Sequence, residues 1–307
     1  AAGFHTLAMS AAPRLSPAYG HHRGFDRFVY HFPEPGFTQV AYDPAVWIAD
    51  LTGHLAVHQK DRTFSYVHVP DTHPPWHIPP LTRMFNLGRR GDSSGLDLKR
   101  LPEAGDPDQQ GRQLYLLRLH EIDRLLGGLF EYIDRTMKDD TLVVLTADHG
   151  TPWHHLREKR PADEPYLVDD RTATSLQMRG PGIPHRRQDG LTSPNLDLMP
   201  TVLARAGLSA PDDLDGQDLL SPTYRRDHVI SESLYRGVYE IAVRDGKRTY
   251  IEKYGLDEER VKIVGAPIYR GLFPCGTSDF THSLSESPGV LADLAHAHLK
   301  KVGLVES

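Results

Sequence analysis

The sequence has 307 residues, a formal net charge of -6 and a single cysteine. A chain of this length can form one large α/β domain or a domain with a small appendage. The net charge, without a stripe of Lys and Arg with interleaved aromatic residues, argues against nucleic acid as a partner. No apolar run approaches the roughly 18 residues needed to span a bilayer. One cysteine excludes an intramolecular disulfide and a cysteine zinc cluster, and it leaves the compartment open.

Predicted strands and helices alternate along the first part of the chain. Short strands are predicted at 4–9 and 64–69, with a helix over 44–59 between them. The stretch 79–111 is rich in Gly, Pro and Asp and is predicted as a loop. The clearest helix is predicted over 113–137, where leucine, isoleucine and phenylalanine form one apolar stripe. This alternation favours an α/β fold with a mostly parallel sheet flanked by helices.

The most informative stretch is an apolar, β-branched run at 141–146 that is followed by Asp148 and His149. It is predicted as a buried parallel strand, and open α/β folds place their sites at the carboxyl ends of such strands. A carboxylate and an imidazole are both metal ligands. The pair is therefore a candidate metal site. The structural alternative is an Asp that caps a helix or turn and a His that pairs with it.

A second histidine follows another predicted strand. His73 lies in the segment Asp71–Trp76, directly after the strand at 64–69, so it could converge on the same sheet edge as Asp148. The alternative is a loop histidine stacked on Trp76. A basic cluster at 154–160 could meet an anionic substrate, although charge runs are usually solvated faces.

The α/β alternation continues to about residue 207 and then changes. A strand is predicted at 174–179 and a helix at 196–206, closed by Gly207. Beyond these, Asp245-Gly246 between two apolar segments is a strong hairpin signal, and a helix is predicted over 290–301. We predict an α/β domain over 1–224 and a small antiparallel subdomain with a terminal helix over 225–307.

The order of motifs resembles the sulfatase family of the alkaline-phosphatase superfamily, and it does so over nearly the whole chain. The strand that ends in an Asp-His pair resembles the family's metal-binding strand, and His73 in His-Pro-Pro-Trp matches its substrate-facing histidine. The other segments that carry the resemblance are Gly3–Thr6, Arg23–Asp26, Arg179–Ile183, Asn195–Leu208 and Leu214–Leu220. The resemblance implies an alkaline-phosphatase-like α/β fold.

The resemblance also implies a function, which is the hydrolysis of a small-molecule or glycan sulfate ester. In such enzymes a formylglycine hydrate attacks sulfur while a divalent cation neutralises the sulfate oxygens. The cation is expected to be Ca²⁺, with Mn²⁺ and Zn²⁺ as alternatives. By this match Asp148 and His149 are metal ligands, and His73 binds the sulfate or protonates the leaving oxygen. Lys159 corresponds to the family's sulfate-bridging lysine and His155 to its companion histidine.

The nucleophile motif of the family, Cys/Ser-x-Pro-x-Arg, does not occur in this sequence. Cys275 has no proline two positions on, and the proline in Ser10–Arg14 is one place late. Because the first residues already resemble sequence downstream of the nucleophile, we expect the nucleophile-bearing part to lie outside this chain and the chain alone to be inactive. Two alternatives stay open. One is a phosphate or phosphonate ester hydrolase of the same superfamily, and the other is a non-catalytic relative that binds a sulfated glycan or a protein.

Overall fold

The computed structural model describes residues 2–30, 44–73, 107–151, 164–188, 190–257, 259, 261–277 and 282–305. The chain divides into two compact units, Ala1–Thr141 and Leu142–Ser307. The finer boundary between residues 224 and 225 stays a prediction.

The first unit is built on a parallel sheet. Its elements are β1 (His5–Ser10), β2 (Arg27–Tyr30), α1 (Pro44–Val57), β3 (Thr63–His68) and α2 (Pro107–Thr136). The strand order is β2-β1-β3, and both neighbours run parallel to β1. Leu7 and Met9 of the central strand are fully buried. The predicted parallel sheet with flanking helices is confirmed, while β2 was not predicted.

The two helices of this unit contact each other, and each has buried apolar side chains at helical spacing. The buried side chains are Trp47, Leu51 and Leu55 on α1 and Leu117, Leu129 and Ile133 on α2. Helix α2 begins at Pro107, earlier than predicted, so the last part of the predicted loop over 79–111 is wrong. A proline at the first helical position is compatible with the helix because its missing N–H needs no partner there.

The second unit carries the remaining elements. They are β4 (Val143–Thr146), α3 (Asp169–Thr172), β5 (Leu176–Arg179), α4 (Pro194–Arg205), β6 (Val229–Tyr235), β7 (Val238–Arg244), β8 (Arg248–Asp257), β9 (Lys262–Pro274) and α5 (Val290–Lys301). Strand β4 pairs antiparallel with β5, and Leu145 and Thr146 are exposed in this structure. The expectation of a buried parallel strand here is wrong within the described residues. An apolar run indicates burial but does not fix the direction of its partner, and the chain reverses between these two strands.

Strands β6 to β9 form an antiparallel sheet in chain order. The predicted hairpin is confirmed between β7 and β8, where Gly246 has a φ of +84°. The Asp245 carboxylate accepts hydrogen bonds from the backbone N–H groups of Lys247 and Arg248, which closes the turn. Helix α5 has the predicted bounds, and its buried residues Leu291, Ala295 and Leu299 pack on this sheet. The predicted C-terminal antiparallel sheet with its terminal helix is therefore present.

Within the described ranges, no helix combines the length and the apolar character that crossing a membrane requires.

Candidate functional site

Asp148 and His149 lie just beyond the carboxyl end of β4. The Asp148 side chain is 67% exposed and that of His149 is 37% exposed. The backbone N–H of His149 donates to Asp148 Oδ1 over 2.8 Å, and His149 Nε2 lies 3.5 Å from Asp148 Oδ2. Both side chains thus stand at the surface of the unit with ligand atoms facing each other.

The backbone around this pair is fixed by neighbouring segments. Asn195, in the first turn of α4, donates from Nδ2 to the carbonyl oxygen of Asp148 over 2.7 Å. The N–H of Gly150 donates to the Arg171 carbonyl over 2.8 Å. A Cβ atom on Gly150 would lie 2.0 Å from the backbone oxygen of Asp170, so only glycine fits without movement of the backbone. The pair is therefore held by contacts to α3 and α4.

The two side chains fit a divalent cation as two of its ligands. His149 Nδ1 lies 2.9 Å from the carbonyl oxygen of Gly150, and because a carbonyl can only accept, Nδ1 carries the proton. The lone pair is then on Nε2. Its 3.5 Å separation from Asp148 Oδ2 suits two neighbouring ligands at about 2.0–2.6 Å from one cation.

Of the other predicted site residues, only His73 lies within the described part of the chain. His73 is exposed and follows β3 at the end of a short 3-10 turn, Pro70–Thr72, where its backbone N–H donates to the Pro70 carbonyl. It belongs to the first unit and Asp148 to the second, so their convergence stays a prediction. His155 and Lys159 lie outside the described residues, as does Trp76.

One polar residue of the site was missed by the sequence reasoning. Asn195 contacts the backbone of Asp148, yet the sequence indicated only the start of a helix there. A side-chain amide in the first turn of a helix that follows a β-strand is the available signal, and it is weak, because asparagine is common near helix starts for local reasons.

Helix α4 also carries a buried carboxylate, in contrast to the exposed carboxylate of Asp148. Asp197 is fully buried. Its Oδ2 accepts hydrogen bonds from the Ser193 N–H, the Tyr224 hydroxyl and Arg226 Nε, at 3.1, 2.7 and 2.9 Å. Its Oδ1 accepts from the Gln217 N–H over 2.9 Å and from Arg226 Nη2. This carboxylate joins α4 to the segment that leads into the antiparallel sheet.

The titration of this cluster follows from its contacts. Burial acts to raise the pKa of Asp197, but the hydrogen bonds from Arg226, Gln217 and Tyr224 outweigh it and hold the pKa below its ordinary value. Burial and the hydrogen bond to Asp197 raise the pKa of Tyr224 to about 12. Asp197 is thus an ionised structural carboxylate at neutral pH.

Comparisons with known proteins agree with this architecture. A family model described as Sulfatase matches residues 1–208. The chain belongs to the sulfatase family. That family is part of the alkaline-phosphatase superfamily.

Individual relatives cover limited parts of the chain. It is 35% identical over 116 residues to the multifunctional alkaline phosphatase superfamily protein PehA of Trinickia caryophylli, which is 36% of this chain and 22% of that protein. It is 30% identical over 171 residues to a Delta 4,5-hexuronate-2-O-sulfatase of Bacteroides thetaiotaomicron, which is 51% of this chain and 34% of that one. The chain thus spans about a fifth to a third of the length of these curated relatives.

A solved structure covers almost all of the chain. The putative sulfatase yidJ from Bacteroides fragilis superposes with a TM-score of 0.64 over 97% of this chain and 73% of that one, at 16% sequence identity. At this identity the likeness establishes the fold. The alkaline-phosphatase-like fold predicted from the sequence is therefore confirmed.

Proposed function

We propose that this sulfatase-family chain takes part in the hydrolysis of a small-molecule or glycan sulfate ester, and that Asp148 and His149 bind the cation this reaction requires. The observation that carries the proposal is the exposed pair at the end of β4, with two ligand atoms 3.5 Å apart. The hexuronate sulfatase among the relatives supports a glycan sulfate as one substrate class. Family membership alone does not assign a reaction, so these side chains carry the proposal.

The roles of the residues follow from the charge of the substrate. A sulfate ester carries negative charge on its oxygens, and a bound divalent cation would neutralise part of it. Asp148 and His149 hold that cation, which we propose to be Ca²⁺ with Mn²⁺ or Zn²⁺ as alternatives. His73 binds the sulfate or gives a proton to the leaving oxygen. Lys159 and His155 contribute positive charge to the sulfate.

The proposed reaction also needs a nucleophile, and the sequence holds no Cys/Ser-x-Pro-x-Arg motif to supply one. Cys275 is unsuited to the role. It lies in the turn after β9, its Sγ is 3.5 Å from Thr249 Oγ1, and burial raises the pKa of its thiol. We therefore propose that the 307 residues alone bind the cation and the sulfate group but do not turn the ester over.

The first experiment measures both properties in the purified chain. Isothermal titration with 4-nitrophenyl sulfate is run with and without millimolar Ca²⁺, on the wild type and on Asp148→Asn, with Asp213→Asn as an exposed control. The proposal predicts Ca²⁺-dependent binding in the wild type and the control, none in Asp148→Asn, and no release of nitrophenol. Turnover would contradict the proposed inactivity, and absence of any metal binding would favour a non-catalytic binding protein.

A second candidate function is hydrolysis of a phosphate or phosphonate ester. Similarity to PehA, a multifunctional member of the superfamily, supports this second candidate. The same Asp-His pair would serve there, because both ester groups present anionic oxygens to the cation. Titration of the Ca²⁺-loaded chain with 4-nitrophenyl phosphate separates the two. Tighter binding of the sulfate supports the sulfatase proposal, and tighter binding of the phosphate supports the alternative.

A further inference from the structure

Two histidines and an aspartate meet at the amino-terminal edge of the parallel sheet in the first unit. His5 is the first residue of β1, His58 follows the last turn of α1, and Asp61 lies in the connection to β3. His58 Nδ1 is 2.9 Å from Asp61 Oδ2, and His5 Nε2 is 3.7 Å from the same oxygen. One ligand atom from each residue lies within 4.8 Å of the others. This set of side chains is called the His5–His58–Asp61 cluster below.

These distances suit a small cation between the three side chains. Zinc bonds to imidazole nitrogen and carboxylate oxygen are about 2.0–2.2 Å, so neighbouring ligand atoms of a tetrahedral site are roughly 3.3–3.5 Å apart. The two separations to Asp61 Oδ2, 2.9 and 3.7 Å, bracket that spacing. The rings of His5 and His58 are stacked with centroids 4.5 Å apart. The His5 side chain is 52% exposed, so a cation can reach the cluster from solvent.

The backbone beneath the cluster is ordered by hydrogen bonds. The N–H of Asp61 donates to the His58 carbonyl over 3.0 Å, which makes a tight turn at the end of the helix. The N–H of His5 donates to the Arg62 carbonyl over 2.7 Å, which ties the start of β1 to the residue after Asp61. The cluster is therefore set on fixed backbone rather than on the tips of independent loops.

A buried histidine adds an independent observation. His54 is 93% buried, since only 7% of it is exposed, and its ring centroid lies 4.7 Å from that of His58. Its Nε2 has no hydrogen-bond partner among the described residues. A buried imidazole nitrogen without a partner is costly in an ordinary core. Here the buried His54 ring packs against the ring of His58 and so helps to fix its orientation.

The sequence carries a matching signal. His54 and His58 are four residues apart at the end of α1, which places them on the same side of the helix end, and Asp61 follows three residues later in the connection to β3. This spacing sets His54 against His58, in agreement with the 4.7 Å between their ring centroids. The tight turn after the helix brings Asp61 beside His58, and strand β1 adds His5 from a distant part of the sequence.

From this geometry we propose that His5, His58 and Asp61 bind a divalent transition-metal ion of the zinc class, with solvent in the remaining position and His54 as a positioning residue. Two imidazole nitrogens among three ligands favour such ions over the hard cations Ca²⁺ and Mg²⁺, which prefer sites made mainly of oxygen ligands. The site is separate from the carboxyl ends of the same strands, which lie beyond Ser10 and His68. Metal binding here ties β1 to the connection between α1 and β3 and stabilises the unit by linkage.

The test is titration of the whole chain with Zn²⁺ at neutral pH. Calorimetry measures the affinity, and the melting temperature reports the stabilisation. The variants are His58→Gln and Asp61→Asn, with His21→Gln, an exposed histidine of the same unit, as the matched control. Asp148→Asn is included so that Zn²⁺ binding by Asp148 and His149 can be distinguished from Zn²⁺ binding by the cluster. The proposal predicts that either cluster variant lowers the Zn²⁺ affinity by at least about tenfold, while His21→Gln and Asp148→Asn retain the cluster's binding. Unchanged Zn²⁺ affinity in both cluster variants would overturn it.

A measurement on the wild-type chain covers the case in which a variant does not fold. Long-range ¹H–¹⁵N spectra of the histidine rings report directly on the nitrogen that binds a metal. The proposal predicts that Zn²⁺ shifts Nδ1 of His58 and Nε2 of His5, whereas Ca²⁺ shifts neither. If Zn²⁺ leaves both resonances in place, the cluster is a surface ion pair and the proposal is wrong. Neither outcome depends on the proposed sulfate chemistry.

Discussion

Asp148 and Asp197 are two carboxylates of the same unit with opposite surroundings. Asp197 is fully buried, and both of its oxygens accept hydrogen bonds from backbone N–H groups, Tyr224 and Arg226. The Asp148 side chain is 67% exposed, and its described side-chain contacts are with the adjacent His149. Asn195 of the same helix as Asp197 holds the backbone of Asp148. One carboxylate therefore stabilises the fold, and the other is positioned by the fold with its oxygens open to a ligand.

The largest expected effect is at Asp197. Asp197→Asn removes the charge opposite Arg226, whose side chain is only 11% exposed, and leaves that guanidinium without its ion pair. Breaking such a buried pair costs about 3–5 kcal/mol of the free energy of unfolding. Urea unfolding at pH 7 measures it, with Asp213→Asn, an exposed aspartate, expected to stay within about 0.5 kcal/mol of wild type. A loss at Asp197 as small as that of the control would contradict the structural role.

The difference in unfolding free energy between wild type and Asp197→Asn is predicted to depend on pH. The folded pKa of Asp197 lies below its ordinary value of 3.8, so its stabilisation is complete above that value. It is lost as the pH falls through the folded pKa, where the carboxylate takes up a proton. Urea unfolding of wild type and Asp197→Asn at pH 7, 4 and 2.5 should therefore show the difference shrinking toward acid. A difference that grows toward acid would have the wrong sign for a depressed pKa.

The backbone that carries the exposed pair is tested at Gly150. In Gly150→Ala the new Cβ would meet the backbone oxygen of Asp170 at 2.0 Å, so the strand end or α3 must move. We expect a loss of about 3 kcal/mol in the free energy of unfolding, together with weaker cation binding. Gly128→Ala is the matched control, because a Cβ there meets nothing within 4 Å and lies inside α2. The control should gain about 0.5–1 kcal/mol. Equal effects in the two variants would argue against the close contact.

The sequence predicted the elements better than it predicted their contacts. The Asp245-Gly246 hairpin and helix α5 were found because turn chemistry and helical periodicity are local signals. The direction of β4 was missed because its apolar run does not specify which strand lies beside it. The Asp-His pair was recognised at a strand end, but the contact from Asn195 joins residues 47 positions apart and has no local pattern. His5 likewise reaches its cluster only through the pairing of β1 with β3.

A smaller effect is expected at Tyr224. Tyr224→Phe removes the hydroxyl that donates to Asp197 Oδ2 over 2.7 Å and leaves Arg226 in place. Hydrogen bonds to a charged group contribute about 1.5–3 kcal/mol, and the lower end is expected because Asp197 keeps its other donors. Chemical denaturation gives the value, and cation binding should be unchanged. A cost equal to that of Asp197→Asn would mean that the hydroxyl, rather than the ion pair, holds this cluster together.

The most direct measurement compares cation affinity with stability in Asp148→Asn and Tyr224→Phe. Mn²⁺ binding is followed by electron paramagnetic resonance in a His58→Gln background, so that the His5–His58–Asp61 cluster does not contribute. We expect Asp148→Asn to lose Mn²⁺ binding but to unfold within about 0.5 kcal/mol of its parent, because an exposed side chain stabilises the fold little. Tyr224→Phe should lose stability and keep Mn²⁺ binding. If Asp148→Asn binds Mn²⁺ as tightly as its parent does, the pair at the end of β4 is not a metal site.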